Sequence, residues 1–308
     1  MSQLETLYAL TGCTAVGKTE LALLWAETYG AEIINCDSLL FYRGMDIGTA
    51  KPTREELARV PHHLVDLCPA SEQMDVARFI ELAIETAREI QARGNRVLIT
   101  GGSGFYLKAF FHPVVDDVAI SEATAIKVSK IQDSGGLEAL KDTLLELSPD
   151  AASQVDLENP RRVLKALERC IESGLSVGEL KNRFAKQINP LIDAPKKLTI
   201  LHRDKEELNA RIALRVDIML EQGLIDEVKE LRVAGFEANG SAAHSIGYRE
   251  TLAYLDGQLT LEQLKIDIAT NTRRLAKKQR TWFRGQLPEG SIHEISDTHS
   301  IELKNLFD

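Results

Sequence analysis

A chain of 308 residues with 44% hydrophobic and 27% charged residues has the make-up of a globular protein that buries a sizeable core, in one large domain or two small ones. No apolar run approaches the roughly 20 residues of a membrane span, and MSQLETLYAL lacks the basic start and apolar stretch of a secretion signal, so a soluble, cytoplasmic protein is expected. The net charge of −9 gives no support for indiscriminate nucleic-acid binding, so any RNA contact must be local, and Cys13, Cys36, Cys68 and Cys170 lack the paired spacing of a zinc knuckle or a disulfide framework.

Leu7 to Thr11 is a short apolar run ending in a glycine loop, and Leu21, Leu24, Trp25 and Thr28 then recur at helical spacing: strand, loop, helix. Ala31 to Ile34, Arg96 to Thr100 and Leu198 to Leu201 read as further buried strands, because β-branched and apolar residues run there without alternation. Between them Val76, Phe79, Ile80, Ala83, Ile84, Ala87 and Ile90 follow a helical stripe, with Gly94 as its stop. Strand signals vanish from Val114 to about Pro195, where helical patterns cover Leu137 to Leu147 and Val163, Leu164, Leu167 and Ile171. After the last strand come helices at Glu206–Gln222, Asp226–Ala234, Tyr248–Leu255 and Leu261–Phe283. The fold expected is α/β, a P-loop-containing parallel sheet flanked by helices. Its core spans 1–113 and 196–308, with a helical insertion domain over 114–195.

GCTAVGKT, Gly12 to Thr19, is a full match to the phosphate-binding loop GxxxxGK[ST] and lies between a strand and a helix, as that motif must. Its glycines allow backbone N–H groups to converge on phosphate oxygens, Lys18 adds a point charge, and the Thr19 hydroxyl can ligate Mg²⁺. The loop alone also permits a kinase of a small metabolite or nucleotide. Against an ordinary NTPase, RVLITGG ends in glycines where a Walker B strand carries an acid. An acid follows the other strand instead: AEIINCDS puts Asp37 and Ser38 at the strand edge where ligands of open α/β sheets bind. Asp37 either accepts a proton from a nucleophile near the loop or caps a turn.

At this point the sequence resembles the tRNA dimethylallyltransferases. DSLLFYRGMDIGTAKP (Asp37 to Pro52), PHHLVDL from Pro61, GGSGFYLKAF from Gly101, NPRRVLKALE from Asn159, RIALRVDIML from Arg211, IGYRE from Ile246 and TRRLAKKQRTWFR from Thr272 follow the order of that family's motifs. The resemblance implies transfer of a dimethylallyl group from dimethylallyl diphosphate to the exocyclic amine of the adenine 3′ of the anticodon in tRNA. Under it Asp37 is the general base, with Ser103 and Arg215 also catalytic. Gly12, Thr14, Ala15, Val16, Gly17, Lys18, Thr19 and Arg215 hold the diphosphate, and Thr19 meets the cofactor Mg²⁺. Contacts to the tRNA anticodon stem-loop fall on Asp37, Ser38, Leu39 and Leu40, on Ser103, on Arg161, Arg162, Val163, Leu164 and Lys165, and on His244, Ser245, Ile246, Gly247, Tyr248 and Arg249. A monomer is expected. The nearest alternative inside this chemistry is an adenylate dimethylallyltransferase, which takes a free nucleotide.

Two regions bear on RNA without the family. Arg273, Arg274, Lys277, Lys278, Arg280 and Arg284 lie in a stretch free of acids, with Trp282 and Phe283 expected as core anchors of the same helix. Arg161, Arg162 and Lys165 open a helix capped by Asn159, where cations oppose the helix dipole and an external anion suits them. His62 and His63 with Asp66 fit no metal spacing, and a hydrogen-bonding role is expected. The family pattern is departed from at Cys13, Leu40, Ser103 and His244, and over Val114 to Lys127, which lacks the proline-flanked acidic turn and following arginine.

Overall fold

The structure, a computed structural model, describes residues 3–114, 118–186, 189–295 and 301–308. The residues 115–117 of the divergent stretch lie outside the described ones. Eight strands are described: β1 (Leu7–Gly12), β2 (Ala31–Asn35), β3 (Tyr42–Arg43), β4 (His62–His63), β5 (Cys68–Pro69), β6 (Arg96–Gly101), β7 (Lys196–His202) and β8 (Ser291–Glu294). Six form a sheet in the order β4-β2-β6-β1-β7-β8, parallel at every pairing, and β3 pairs with β5 beside it. A parallel sheet buried on both faces demands continuous apolar runs. Accordingly Leu7, Ala9, Leu10, Val97, Leu98 and Ile99 are all fully enclosed.

The sequence misses the sheet's outer strands for identifiable reasons. β4 is two residues long, and the one large apolar residue of β8, Ile292, is 62% exposed, so neither edge leaves a burial pattern. The helix after the glycine loop, Lys18–Tyr29, packs its Leu21, Leu23 and Trp25 inward. The helix Val76–Ala92 buries Phe79, Ala83, Ala87 and Ile90, one side of a 3.6-residue period, and begins where Asp75 accepts from the Arg78 N–H. Phe307 closes over Tyr8 and Trp25 at ring separations of 5.2 and 4.8 Å, tying the end of the chain to β1.

The chain divides into two compact units, Met1–His112 with Pro190–Asp308, and Pro113–Asn189. Residues 190–195, placed by the sequence reading in the insertion, therefore belong with the sheet. The Pro195 carbonyl accepts from Leu7 N at 2.8 Å and so starts the β1–β7 ladder. The smaller unit has its own core of Val128, Leu140, Leu144, Ala151, Val163 and Leu167. Its first helix, Glu122–Leu147, is broken at Gly135 and Gly136, whose backbone angles are not helical. Among the described residues no helix is long and apolar enough to cross a membrane.

Candidate active site

Because β1, β2, β6 and β7 run in one direction, their C-terminal ends deliver four segments to one edge of the sheet. These are the glycine loop after β1, Cys36–Asp37 after β2, Gly101–Ser103 after β6 and Arg203 after β7. Ligands of open α/β sheets bind at this edge. Two glycines let the segments close up. A Cβ on Gly12, whose φ is +154°, meets the Leu201 carbonyl oxygen at 2.7 Å, and one on Gly101 meets Cys36 C and Asp37 N at 2.6 and 2.7 Å. The glycines that replace a Walker B acid thus make room for Asp37.

The loop is gripped from outside by cations. Lys18 Nζ donates to the carbonyls of Gly12 and Cys13 at 2.8 and 2.9 Å. Arg211 Nε donates to Ala15 O at 2.9 Å and the buried Arg203 to Val16 O at 3.1 Å. Arg215, one turn beyond Arg211 on the helix Lys205–Glu221, reaches the Thr14 hydroxyl at 3.4 Å. Burial draws the Lys18 ammonium down to about 8, with Arg215 adding to the shift and the Asp37 carboxylate opposing it. Burial and the neighbouring Arg211 also lower Arg215. Burial pushes the Cys13 and Cys36 thiols up, so both stay protonated and unreactive. Thr14, Ala15, Val16, Gly17, Lys18 and Thr19 line a cavity of about 260 Å³.

Asp37 also lines that cavity. Asn35 Oδ1 accepts from its N–H at 2.8 Å, Leu39 N donates to its Oδ1 at 3.3 Å, and Ser103 Oγ lies 3.4 Å from the same oxygen. Ser103 Oγ also receives Ser38 N at 3.0 Å, so Ser38 and Ser103 fix the rim on which the carboxylate sits. Asp37 opens equally on a second cavity of about 530 Å³ beside the first, whose apolar walls include Phe105, Ile212, Val216, Met219, Leu275 and Trp282. Thr14, Asp37, Gly102, Arg215 and Gln279 line both. A polyanion cradle and an apolar chamber therefore share a wall, and that wall carries a carboxylate.

Comparison with known proteins gives this arrangement a lineage. A family model described as IPP transferase matches residues 40–286. A tRNA dimethylallyltransferase of Opitutus terrae is 55% identical over 283 residues, covering 92% of this chain and 91% of that protein. One of Halalkalibacterium halodurans is 40% identical and covers 92% and 89%. The chain belongs to the IPP transferase family. Among solved relatives of this family, a eukaryotic dimethylallyltransferase acting on tRNA superposes with a TM-score of 0.83 at 26% identity, over 96% of this chain and 75% of that one. The full-length tRNA isopentenylpyrophosphate transferase of Bacillus halodurans gives 0.68 at 37% identity, over 94% and 90%.

The remaining residues that the IPP transferase resemblance singles out separate into accessible and interior ones. Leu39, His244, Ser245, Ile246 and Gly247 line the larger cavity and Leu40 the smaller. Tyr248 does not reach a surface: it is 0% exposed, donates to Glu227 Oε1 at 2.7 Å and packs over Gly48. Glu227 in turn accepts from the N–H groups of Asp46, Ile47 and Gly48 at 2.9, 2.6 and 3.1 Å, so Tyr248 braces the loop that follows Asp37. Arg249 is exposed and pairs with Glu250. In the smaller unit Arg161, Arg162 and Lys165 line a cleft of about 590 Å³ on the helix Pro160–Ser173, which Asn159 caps. Val163 is 0% exposed and belongs to that unit's core, with Leu164 half-buried against it. Val163 and Tyr248 therefore hold up a surface rather than form it, a correction to their expected RNA contacts.

The six basic residues of the run Arg273 to Arg284, on the helix Leu261–Gln286, are all exposed. Phe283 is buried as expected of a core anchor, whereas Trp282 is half-exposed and walls the larger cavity. His63 Nε2 lies 2.6 Å from Glu32, and His62 Nδ1 lies 2.8 Å from the Val60 carbonyl, the hydrogen-bonding roles expected of them. Sequence reasoning assigned no role to Arg203, Arg211, Glu227 or Gln279. The spacing of Arg211 and Arg215, four residues apart on one helix, is the only local signal that any of them left.

Proposed function

We propose that this chain transfers a dimethylallyl group from dimethylallyl diphosphate to the exocyclic amine of the adenine 3′ of the anticodon in tRNA, releasing diphosphate. The observation that carries the proposal is the shared wall: Asp37 faces both the glycine-loop cradle and the apolar chamber. In this reading the diphosphate lies along Thr14–Thr19 while the prenyl carbons and the extruded adenine meet in the chamber, because chemistry on a base requires it to leave its stack. The amine nitrogen attacks C1 of the prenyl group as the C1–O bond breaks. Asp37 takes the amine proton, and the bonding electrons leave with the diphosphate. Lys18, Arg215 and the loop amides meet the charge that develops there. Ser103 holds Asp37 in place by its hydroxyl.

The donor set suits Mg²⁺ in one manner. Among the described residues no cluster of three His, Cys, Asp or Glu side chains could hold a metal, while the exposed Thr19 hydroxyl stands at the end of the cradle. Mg²⁺ commonly takes one or two protein ligands and completes its shell with phosphate oxygens and water. Bound there, it would neutralise charge on the departing diphosphate. The anticodon stem-loop meets the exposed cations of the helix Leu261–Gln286 and, in the smaller unit, Arg161, Arg162 and Lys165. We also propose that the protein acts as a monomer in the cytoplasm, where its four cysteines, all free, remain reduced.

The test is to incubate purified protein with unmodified tRNA, isotope-labelled dimethylallyl diphosphate and Mg²⁺, and to analyse the nucleosides by mass spectrometry. A labelled prenyl increment on adenosine beside the anticodon is expected. Prenylation of AMP but not of tRNA, or phosphoryl transfer from ATP with no prenyl transfer, would overturn the reading.

A further inference from the structure

Gln279 stands in the middle of the basic run of the helix Leu261–Gln286, yet unlike its exposed neighbours Lys277, Lys278 and Arg280 it turns inward and is half-buried. Both ends of its amide are used. Oε1 accepts from the Thr14 N–H at 2.9 Å, and Nε2 donates to the Gly102 carbonyl at 2.8 Å. A neutral amide is the side chain that can accept at one end and donate at the other. One residue thus spans the glycine loop and the turn after β6, beyond the strand-end bond that the Thr11 hydroxyl donates to the Gly101 carbonyl at 2.9 Å.

The position of the bridge is what gives it a consequence for chemistry. Gly102 is followed by Ser103, which holds Ser38 and Asp37, while Thr14 is the loop residue reached by Arg215. A Cβ built on Gly102 would lie 2.9 Å from Gln279 Nε2 and 3.5 Å from Asp37 Oδ2, so the amide and the carboxylate crowd the same glycine. Gln279 also lines both cavities. Gln279 thus ties the residue that Arg215 reaches to the residue that precedes Ser103.

We propose that Gln279 is a positioning residue for prenyl transfer: by clamping Thr14 to Gly102 it fixes the reach of Asp37 towards the carbon that the diphosphate leaves. The proposal rests on the transferase reading above. It also gives the inward turn of this one residue a reason that RNA contact does not, since its polar atoms are already committed to the protein.

Misplacement of reacting groups by about 1 Å is worth roughly a hundredfold in rate. Gln279→Ala should accordingly lower kcat by roughly ten- to a hundredfold while the Kd for inorganic pyrophosphate stays within about threefold of wild type. Gln279→Glu keeps the acceptor for Thr14 N but turns a carboxylate oxygen on the Gly102 carbonyl, and it should be as slow as the alanine variant. Thermal melting of each variant separates positioning from folding: the rate loss should persist at temperatures where the variant is fully folded. Wild-type protein is assayed alongside, and absence of any prenyl transfer by it would sink the transferase reading and not this inference alone. With wild type active, an unchanged kcat in Gln279→Ala, a full-rate Gln279→Glu, or a kcat loss matched by an equal loss of pyrophosphate affinity would overturn the role of Gln279. If the alanine variant does not fold, the isosteric Gln279→Glu decides by the same measurements.

Discussion

Lys18 links the anion cradle to pH. Its ammonium, lowered mainly by burial to about 8, is mostly charged at neutral pH and mostly neutral one unit above that value. A diphosphate in the cradle favours the charged form and raises this pKa, so the favourable term is fully present below about 8 and is lost as pH rises through it. If bound Lys18 stays charged throughout, apparent affinity weakens by the factor 1 + 10^(pH − pKa), roughly 1.1-fold at pH 7 and about 11-fold at pH 9. Calorimetric titration with inorganic pyrophosphate at the two pH values should show that tenfold loss, with uptake of close to one proton at the higher pH. Running the titration in two buffers of different ionisation enthalpy measures the uptake directly. Pyrophosphate titrates in this range too, and dividing by the same ratio for Lys18→Arg, whose guanidinium stays charged, removes its contribution. Equal pH dependence in wild type and Lys18→Arg, with no difference in proton uptake, would refute the assignment.

Three further outcomes are expected. Asp37→Ala should lower kcat by roughly a hundredfold or more and leave tRNA affinity nearly unchanged, and parallel losses in turnover and filter-binding affinity would make Asp37 a binding group. Arg161→Ala with Arg162→Ala should weaken tRNA binding and reduce the slope of log K against log salt by about 1 to 2, with pyrophosphate affinity unaffected; an unchanged slope removes these residues from the RNA surface. Glu32, bonded to Arg93, Asn95 and His63 and held down to about 2, stabilises the fold above the ordinary carboxylate pKa, and that stability fades as pH falls from about 4.5 towards 2. Glu32→Gln should therefore lose up to about 3 kcal/mol at pH 7 by urea denaturation and should converge on wild type in acid, whereas a constant gap would show that the charge is not responsible.

What could be read in the sequence follows from where the signals are local. The four central strands are buried over most of their length on both faces, so each declares itself as an apolar run, and GCTAVGKT carries its own geometry in eight adjacent residues. Asp37 was legible as a strand-end acid, but not its separation from Ser103, because that depends on the order β2-β6 in the sheet. Glu227 and Gln279 were not legible at all. Each acts on backbone groups far away along the chain, Asp46 to Gly48 for one and Thr14 and Gly102 for the other, and an ordinary helical Glu or Gln gives no sign of such a task. Tyr248 misled for the opposite reason: it sits in the IGYRE block among residues that do line the cavity, and only packing shows that its ring faces Gly48.

Under the proposed function, the cations around the loop give a chain of net charge −9 a local site for an anion. Lys18, Arg203 and Arg211 bind the carbonyls of Gly12, Cys13, Val16 and Ala15, which would otherwise present negative dipole ends to an anion. Holding them there sets like charges against one another. Arg215 is lowered in part by Arg211, and Arg211 in part by Arg203, beyond what burial does to each. Glu207, paired with Arg203, offsets part of this repulsion, and a group carrying several negative charges would relieve the rest. Anion binding and folding are coupled through that relief: pyrophosphate should raise the melting temperature in proportion to the logarithm of its concentration above Kd, and less so where Arg215 is replaced by Ala.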